Sequence, residues 1–124
     1  MCGFVCVIKR GAEPQPINKN LLRHRGPDFT KETRRKNIIF RHWRLSIIDL
    51  SKSSNQPVED GQYVFVYNGE LYNYKDLGEK IFKKKYKSDT LFFYDALKNN
   101  LYNKIKPESG FHSFLFYDDK KKYF

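Results

Sequence analysis

Hydrophobic positions in the 124-residue chain come in short bursts, and their spacing changes from strand-like to helix-like about halfway along. Residues 3–8 (GFVCVI) are an unbroken apolar run, which predicts a buried strand. Residues 11–16 hold two prolines and read as a loop. Residues 17–24 predict a short helix, with Asn18 as N-cap and Gly26-Pro27 as stop. Residues 37–42 (NIIFRH) and 44–49 (RLSIID) predict two strands joined near Trp43. Residues 51–61 are polar, contain Pro57 and end in Asp60-Gly61, so a loop is expected. Residues 62–68 (QYVFVYN) are β-branched and aromatic and predict a strand. Helical spacing runs over 74–85 and 89–101; in the second stretch the apolar face, with Leu91, Tyr94 and Leu97, is broad. Residues 113–117 predict a further strand, Asp118-Asp119-Lys120 a turn, and residues 121–124 the start of a returning strand. Strands, then helices, then strands predict an α+β fold of two or more layers.

Composition narrows this without changing it. With 40% hydrophobic and 17% aromatic residues the chain is no disordered tail, and its length suits one small domain. No apolar run approaches the ~20 residues that span a bilayer, and no secretory leader is signalled. If residues 3–8 are a strand, Cys2 and Cys6 are separated by about 13 Å, beyond the ~7 Å reach of a disulfide. A reducing, cytoplasmic setting is therefore expected. The net charge of +10 raises the question of nucleic acid. However, the cations are spread over residues 31–44, 75–87 and 120–122, and Lys83-Lys84-Lys85 falls at a predicted helix end, where positive charge suits the dipole. A solvated face is the simpler account, and neither nucleic acid nor a membrane is expected as a partner.

The candidate chemistry begins at Cys2. Removal of Met1 would leave a thiol and an α-amine on one residue, and an amine with an ordinary pKa of about 7.7–8.0 is a workable base near neutrality. Taken alone, Cys2 reads first as a small buried strand residue. Asn68-Gly69 after a strand also reads as a two-residue hairpin turn, and Ser88 or Asp89 as a helix N-cap. His24, His42 and His112 lack metal-ligand spacing, so no metal site is expected. The phosphate-binding pattern GxxxxGK[ST] is absent, so ATP binding is not indicated.

After the initial MCG come, in order, RHRGPD (residues 23–28), RLSIIDLS (44–51), Gln56-Pro57, YNGELYNY (67–74) and Ser88-Asp89. This series resembles the glutaminase domain of class II glutamine amidotransferases, most closely the asparagine synthetase branch. The resemblance implies the αββα sandwich of N-terminal nucleophile hydrolases, with L-glutamine as substrate. Cys2 matches the nucleophile that attacks the side-chain amide, leaving a glutamyl thioester and ammonia. Asn68, through its side-chain amide, and Gly69, through its backbone N–H, match the oxyanion hole. Arg44 matches the carboxylate-binding arginine, Asp89 the acceptor of the α-ammonium and Glu70 a residue lining the same pocket. The backbone of Leu45 and Ile47 would frame the substrate. Arg25 and Asp28 of RHRGPD are expected to pair and hold their loop beside the pocket.

The resemblance also has departures. Leu91 stands where the family usually has Glu, His112 where it has an apolar core residue, and Cys6 where a small residue is usual. The family's domain is longer. Residues 1–124 are therefore expected to be a partial glutamine amidotransferase domain, with a sandwich incomplete at its C-terminus and without the synthetase domain. No cofactor is expected in this chain; ATP and Mg2+ belong to that synthetase domain. Ammonia would pass to a separate synthetase polypeptide, with aspartate as the default acceptor. The alternative is an inactive remnant or binding module of a split or frameshifted gene.

Overall fold

The computed structural model describes residues 1–47, 50–106 and 109–121. Among them six strands form two antiparallel three-stranded sheets. The first contains β1 (Gly3–Ile8), β2 (Phe29–Arg35) and β3 (Ile38–Arg44) in the order β1-β3-β2. The second contains β4 (Val58–Glu59), β5 (Tyr63–Leu71) and β6 (Gly110–Asp118) in the order β4-β5-β6. Helices α1 (Tyr74–Phe82) and α2 (Asp89–Lys98) lie between β5 and β6 in sequence. The protein is thus mixed α/β, with two sheets and two helices. No helix among the described residues is long and apolar enough to cross a membrane.

Strand alternation explains the layering, because successive side chains point to opposite faces. Phe4, Cys6, Ile38 and Phe40 of the first sheet meet Val64, Val66, Leu115 and Tyr117 of the second. The opposite face of the second sheet, with Phe65, Tyr67, Leu71, Phe114 and Phe116, packs on Phe92, Phe93, Tyr94 and Ala96 of α2 and on Tyr74 of α1. The outer face of the first sheet is covered by Ile17 and Leu22, which pack with Val5, Ile39 and Trp43. Each large apolar side chain so buried contributes roughly 1.5–3 kcal/mol. At one edge the two sheets are also bridged by Glu59 of β4. It pairs with Lys31 and Arg35 of β2 at 3.0 and 3.2 Å and accepts from the Thr33 hydroxyl. Half-exposed pairs of this kind are worth at most about 1 kcal/mol each, so the apolar seam dominates the docking of the sheets.

Several expectations are corrected. Residues 17–24 form successive turns rather than a helix, with i→i+3 bonds from Leu21 to Asn18, Arg23 to Asn20 and Arg25 to Leu22. The Trp43 indole donates to the Lys19 carbonyl at 2.7 Å, occupying the acceptor that a helix would offer to Arg23. Residues 37–42 and 44–49 are not two strands. A single strand, β3, runs unbroken through Trp43 to Arg44, and residues 45–47 leave the sheet; Ile48 and Asp49 lie outside the described residues. Strand β2 (FTKETRR) carries no strand signal in the sequence because it has almost no apolar face. It is an edge strand held to β3 by polar side chains, with Glu32 opposite Arg41 and paired to it at 2.9 Å. The expected strand over 121–124 falls largely outside the described residues. Both helices end earlier than their apolar spacing suggests, and α1 stops at Lys83, whose φ of 54° is left-handed.

The turn into β5 depends on one carboxylate. Asp60 accepts from the backbone N–H groups of Gln62 and Tyr63 at 2.8 and 2.9 Å, from the Tyr94 hydroxyl at 2.8 Å and from Lys98 at 3.1 Å. Burial acts to raise its pKa, but these donors outweigh it and hold the carboxyl well below the usual range. Its folded pKa is below its unfolded one. Its contribution is therefore complete above the unfolded value near 3.9 and is lost as pH falls below it. Asp60→Asn is expected to cost about 1 kcal/mol at pH 7. In urea unfolding, the gap from the wild type should narrow steadily between pH 4 and pH 2. A gap independent of pH would contradict this account.

Candidate functional site

A cleft of about 80 Å³ opens where the two sheets meet, and it gathers all the candidate site residues: Cys2, Arg44, Leu45, Ile47, Asn68, Gly69, Glu70 and Asp89. The strand pattern brings two of them together. Cys2 continues the face of β1 that carries Phe4 and Cys6, and Asn68 continues the face of β5 that carries Val64 and Val66; these faces oppose one another.

Cys2 lies just ahead of β1, half-buried. Its sulfur accepts the Leu45 N–H at 3.3 Å and donates to the Leu45 carbonyl at 3.6 Å. The thiol is therefore held against the segment that leaves β3. The second cysteine, Cys6, faces the core between the sheets, and burial pushes its thiol up to about 11. It is a poor nucleophile at neutral pH, whereas Cys2 lines the cleft. Met1 also lines the cleft and is 59% exposed, so it is accessible for removal.

RHRGPD supports this end of the cleft. Arg25 and Asp28 bind backbone on either side of it rather than pairing as expected. Arg25 Nε donates to the Cys2 carbonyl at 3.2 Å, and Asp28 accepts the Ser46 N–H at 2.7 Å while donating its own N–H to the Arg44 carbonyl. Between them, a Cβ on Gly26 would collide with the Trp43 carbonyl and lie 2.6 Å from the Arg44 nitrogen. Only glycine lets this loop lie on the exit of β3.

Asn68 and Gly69 are not a hairpin turn. Both sit within β5, opposite Ser113 and His112 of β6. A Cβ on Gly69 would strike the Phe111 carbonyl oxygen and lie 2.6 Å from His112 Cα. The backbone of β6 thus fills the space that a side chain at this position would need.

Arg44 is buried, and its Nη1 donates to the Ser51 carbonyl and to Asn55 Oδ1, both at 2.6 Å. Asp89 opens α2, where the Ser88 hydroxyl caps the helix by accepting the Leu91 N–H at 3.4 Å. The N-cap role thus falls to Ser88. The Asp89 carboxylate accepts from the Tyr67 hydroxyl at 3.1 Å and from the backbone N–H groups of Leu71 and Thr90 at 3.0 and 2.8 Å. Burial raises its pKa, and those hydrogen bonds work against the rise. Tyr67 is in turn pushed well above its ordinary range, first by burial and then by Asp89, so near neutral pH its hydroxyl keeps its proton and donates it to Asp89.

Ser54 and Thr90 also line the cleft with no signal in the sequence, and Gln56, Tyr67 and Ser88 line it as members of the motifs. Ser54 donates to the Ser88 hydroxyl at 2.8 Å and so ties the loop after β3 to the head of α2. Gln56 follows from the brevity of β4. The register Val58↔Phe65, Glu59↔Val64 would set Gln56 opposite Tyr67, but the ladder ends at Val58. The Gln56 side-chain oxygen takes the Tyr67 N–H at 2.5 Å, and His42 Nε2 meets the Tyr67 carbonyl at 3.1 Å. A carbonyl can only accept, so the His42 proton is on Nε2. Burial lowers the His42 pKa to about 4, with the Tyr67 contact opposing and the nearby Arg44 charge assisting, so the ring is neutral near pH 7. Among the described residues, no group of three or more His, Cys, Asp or Glu could hold a metal ion.

The sequence matches the glutamine amidotransferase domain family over residues 1–124. It is 32% identical to a putative glutamine-hydrolysing asparagine synthetase of Methanocaldococcus jannaschii, in a 146-residue alignment covering 98% of this chain and 28% of that protein. Identity is 36% over 134 residues with a probable glutamine-hydrolysing asparagine synthetase of Schizosaccharomyces pombe, covering 98% of this chain and 24% of that protein. It is 41% over 87 residues with a glutamine-hydrolysing asparagine synthetase of Saccharomyces cerevisiae, covering 64% of this chain and 15% of that protein. The chain thus spans only about a quarter, or less, of the length of these relatives.

Proposed function

The chain belongs to the glutamine amidotransferase domain family, and from that premise we propose that it hydrolyses the side-chain amide of L-glutamine, with Cys2 as nucleophile. One observation carries the reading: a thiol, an Asn-Gly pair, a buried arginine and a buried carboxylate line the same small cleft. Once Met1 is removed, the α-amine of Cys2 accepts the thiol proton as sulfur attacks the amide carbon. The Asn68 side chain and the Gly69 N–H donate to the oxygen that becomes negative, and a donor of this kind is worth about 10²–10³ in rate. The proton returns to the departing nitrogen, ammonia leaves, and water cleaves the γ-glutamyl thioester to glutamate.

Arg44 receives the substrate carboxylate. A guanidinium can do this with two parallel hydrogen bonds, which lysine cannot copy. Asp89 receives the α-ammonium, Glu70 lines the same pocket, and the backbone of Leu45 and Ile47 frames the chain of the substrate. In this reading residues 1–124 are the first part of an αββα sandwich, working in the reducing cytoplasm. Ammonia passes to a synthetase domain outside residues 1–124, which uses ATP and Mg2+ to amidate aspartate.

The test uses the processing step. Protein that has lost Met1 and protein that retains it are separated and identified by mass, then supplied with glutamine. Glutamate and ammonia are expected in equal amounts from the processed form alone. In the Met1-retaining form the nitrogen of Cys2 is a peptide amide and cannot accept a proton. Equal turnover by the two forms would refute amine-assisted catalysis, and no turnover by either would refute the glutaminase reading for this chain.

A further inference from the structure

Tyr67 precedes the Asn68-Gly69 pair, and each of its polar groups is held by a side chain from elsewhere in the fold. Gln56 takes its N–H, His42 its carbonyl, and Asp89 its hydroxyl. The His42 contact joins the two sheets. His42 is fully buried on β3, opposite Phe4 of β1 and two residues before Arg44, whereas Tyr67 lies on β5. Cys2 is attached to the first sheet and Asn68-Gly69 to the second, so their separation depends on how the sheets are set at this point. The apolar contacts of the seam set the distance between the sheets but define their lateral setting less sharply, because the hydrophobic effect has no direction. A hydrogen bond from a ring of fixed length defines it more sharply.

We propose that His42 is a positioning residue that sets the Asn68-Gly69 donors relative to the Cys2 sulfur by holding the Tyr67 carbonyl through Nε2. The inference rests on the glutaminase reading for its kinetic consequence but not for its geometric one. Nε2 lies three bonds beyond Cβ, as does the side-chain nitrogen of glutamine, whereas that of asparagine reaches only two.

The test compares His42→Gln, His42→Asn and His42→Leu in the whole, Met1-processed chain. In the Asn and Leu variants kcat for glutamine hydrolysis is expected to fall about 10- to 100-fold, the scale for reacting groups misplaced by an ångström or less. KM and the rate of Cys2 alkylation by iodoacetamide should change less than about threefold, and His42→Gln should recover most of kcat. The amide NMR signals of Asn68 and Gly69 should shift in the Asn and Leu variants and return towards wild-type positions in the Gln variant. Wild-type kcat in a folded Leu variant would overturn the proposal, as would a general loss in which KM and alkylation change alike and glutamine gives no rescue. If the wild type itself hydrolyses no glutamine, the glutaminase reading falls. The NMR comparison then still decides the clamp, and unmoved signals in the Leu variant would refute it.

Discussion

Cys2→Ala is expected to remove glutamine hydrolysis, with turnover falling on the order of 10⁴-fold or more, while the fold persists. The kinetic loss is large because no other group in the cleft can form the thioester. Cys6 cannot substitute, since it lies in the core between the sheets with its thiol pushed up to about 11. The structural loss is small because Cys2 contributes only two long sulfur contacts to the Leu45 backbone, at 3.3 and 3.6 Å, and sulfur is a weak donor and acceptor. Circular dichroism and the urea midpoint should match the wild type, and iodoacetamide should no longer label the folded protein. Substantial glutamate release by the alanine variant would end the case for Cys2.

Gly69→Ala should have the largest combined effect on fold and chemistry. Its methyl group would meet the Phe111 carbonyl and the Cα of His112, which are backbone atoms of a paired strand and cannot rotate aside. Either β6 moves away from β5 or the peptide carrying the Gly69 N–H turns. We expect a loss of about 3 kcal/mol in urea unfolding, at the upper end for overpacked sites. The fraction that remains folded should lose about 10²–10³ in kcat, as for a missing oxyanion donor. Asn68→Ala separates the two effects. It should show a similar kinetic loss with near-normal stability, because no backbone must move. Wild-type stability in Gly69→Ala would contradict the close approach described for β6.

What could be read in advance followed the distribution of apolar residues. Strand β1, the body of β5 and β6, and the starts of both helices carry enough apolar or aromatic side chains for their periods to be visible. Strand β2 was invisible because an edge strand stabilised by Glu32–Arg41 and by bonds to Glu59 needs no apolar face. The helix expected over 17–24 failed for a reason distant in sequence: the Trp43 indole claims the Lys19 carbonyl. The site divided in the same way. Residues in ordered motifs, such as Cys2, Arg44 and Asn68, could be named, and strand alternation explains why Cys2 and Asn68 share a face. Which sheet faces which is not contained in a local period. Ser54 and Thr90 carry no signal of their own, since each is a common polar residue whose position becomes meaningful only when α2 docks beside the loop after β3.

The seam between the sheets has a consequence for which substitutions the protein can absorb. The aromatic cluster under the helices is broad, and away from the cleft, at Phe92 or Ile105 for example, one hydrophobe can exchange for another of similar volume with only a stability change. Ile38, Phe40, Val64, Val66 and Tyr117 fill the gap between the sheets that carry the two halves of the cleft. A change of one methylene there alters the spacing of the layers, and the cleft is where that spacing is felt. These five positions lie outside the cleft lining, yet they are under geometric constraint from it. Their freedom to vary is limited by alignment rather than by hydrophobicity.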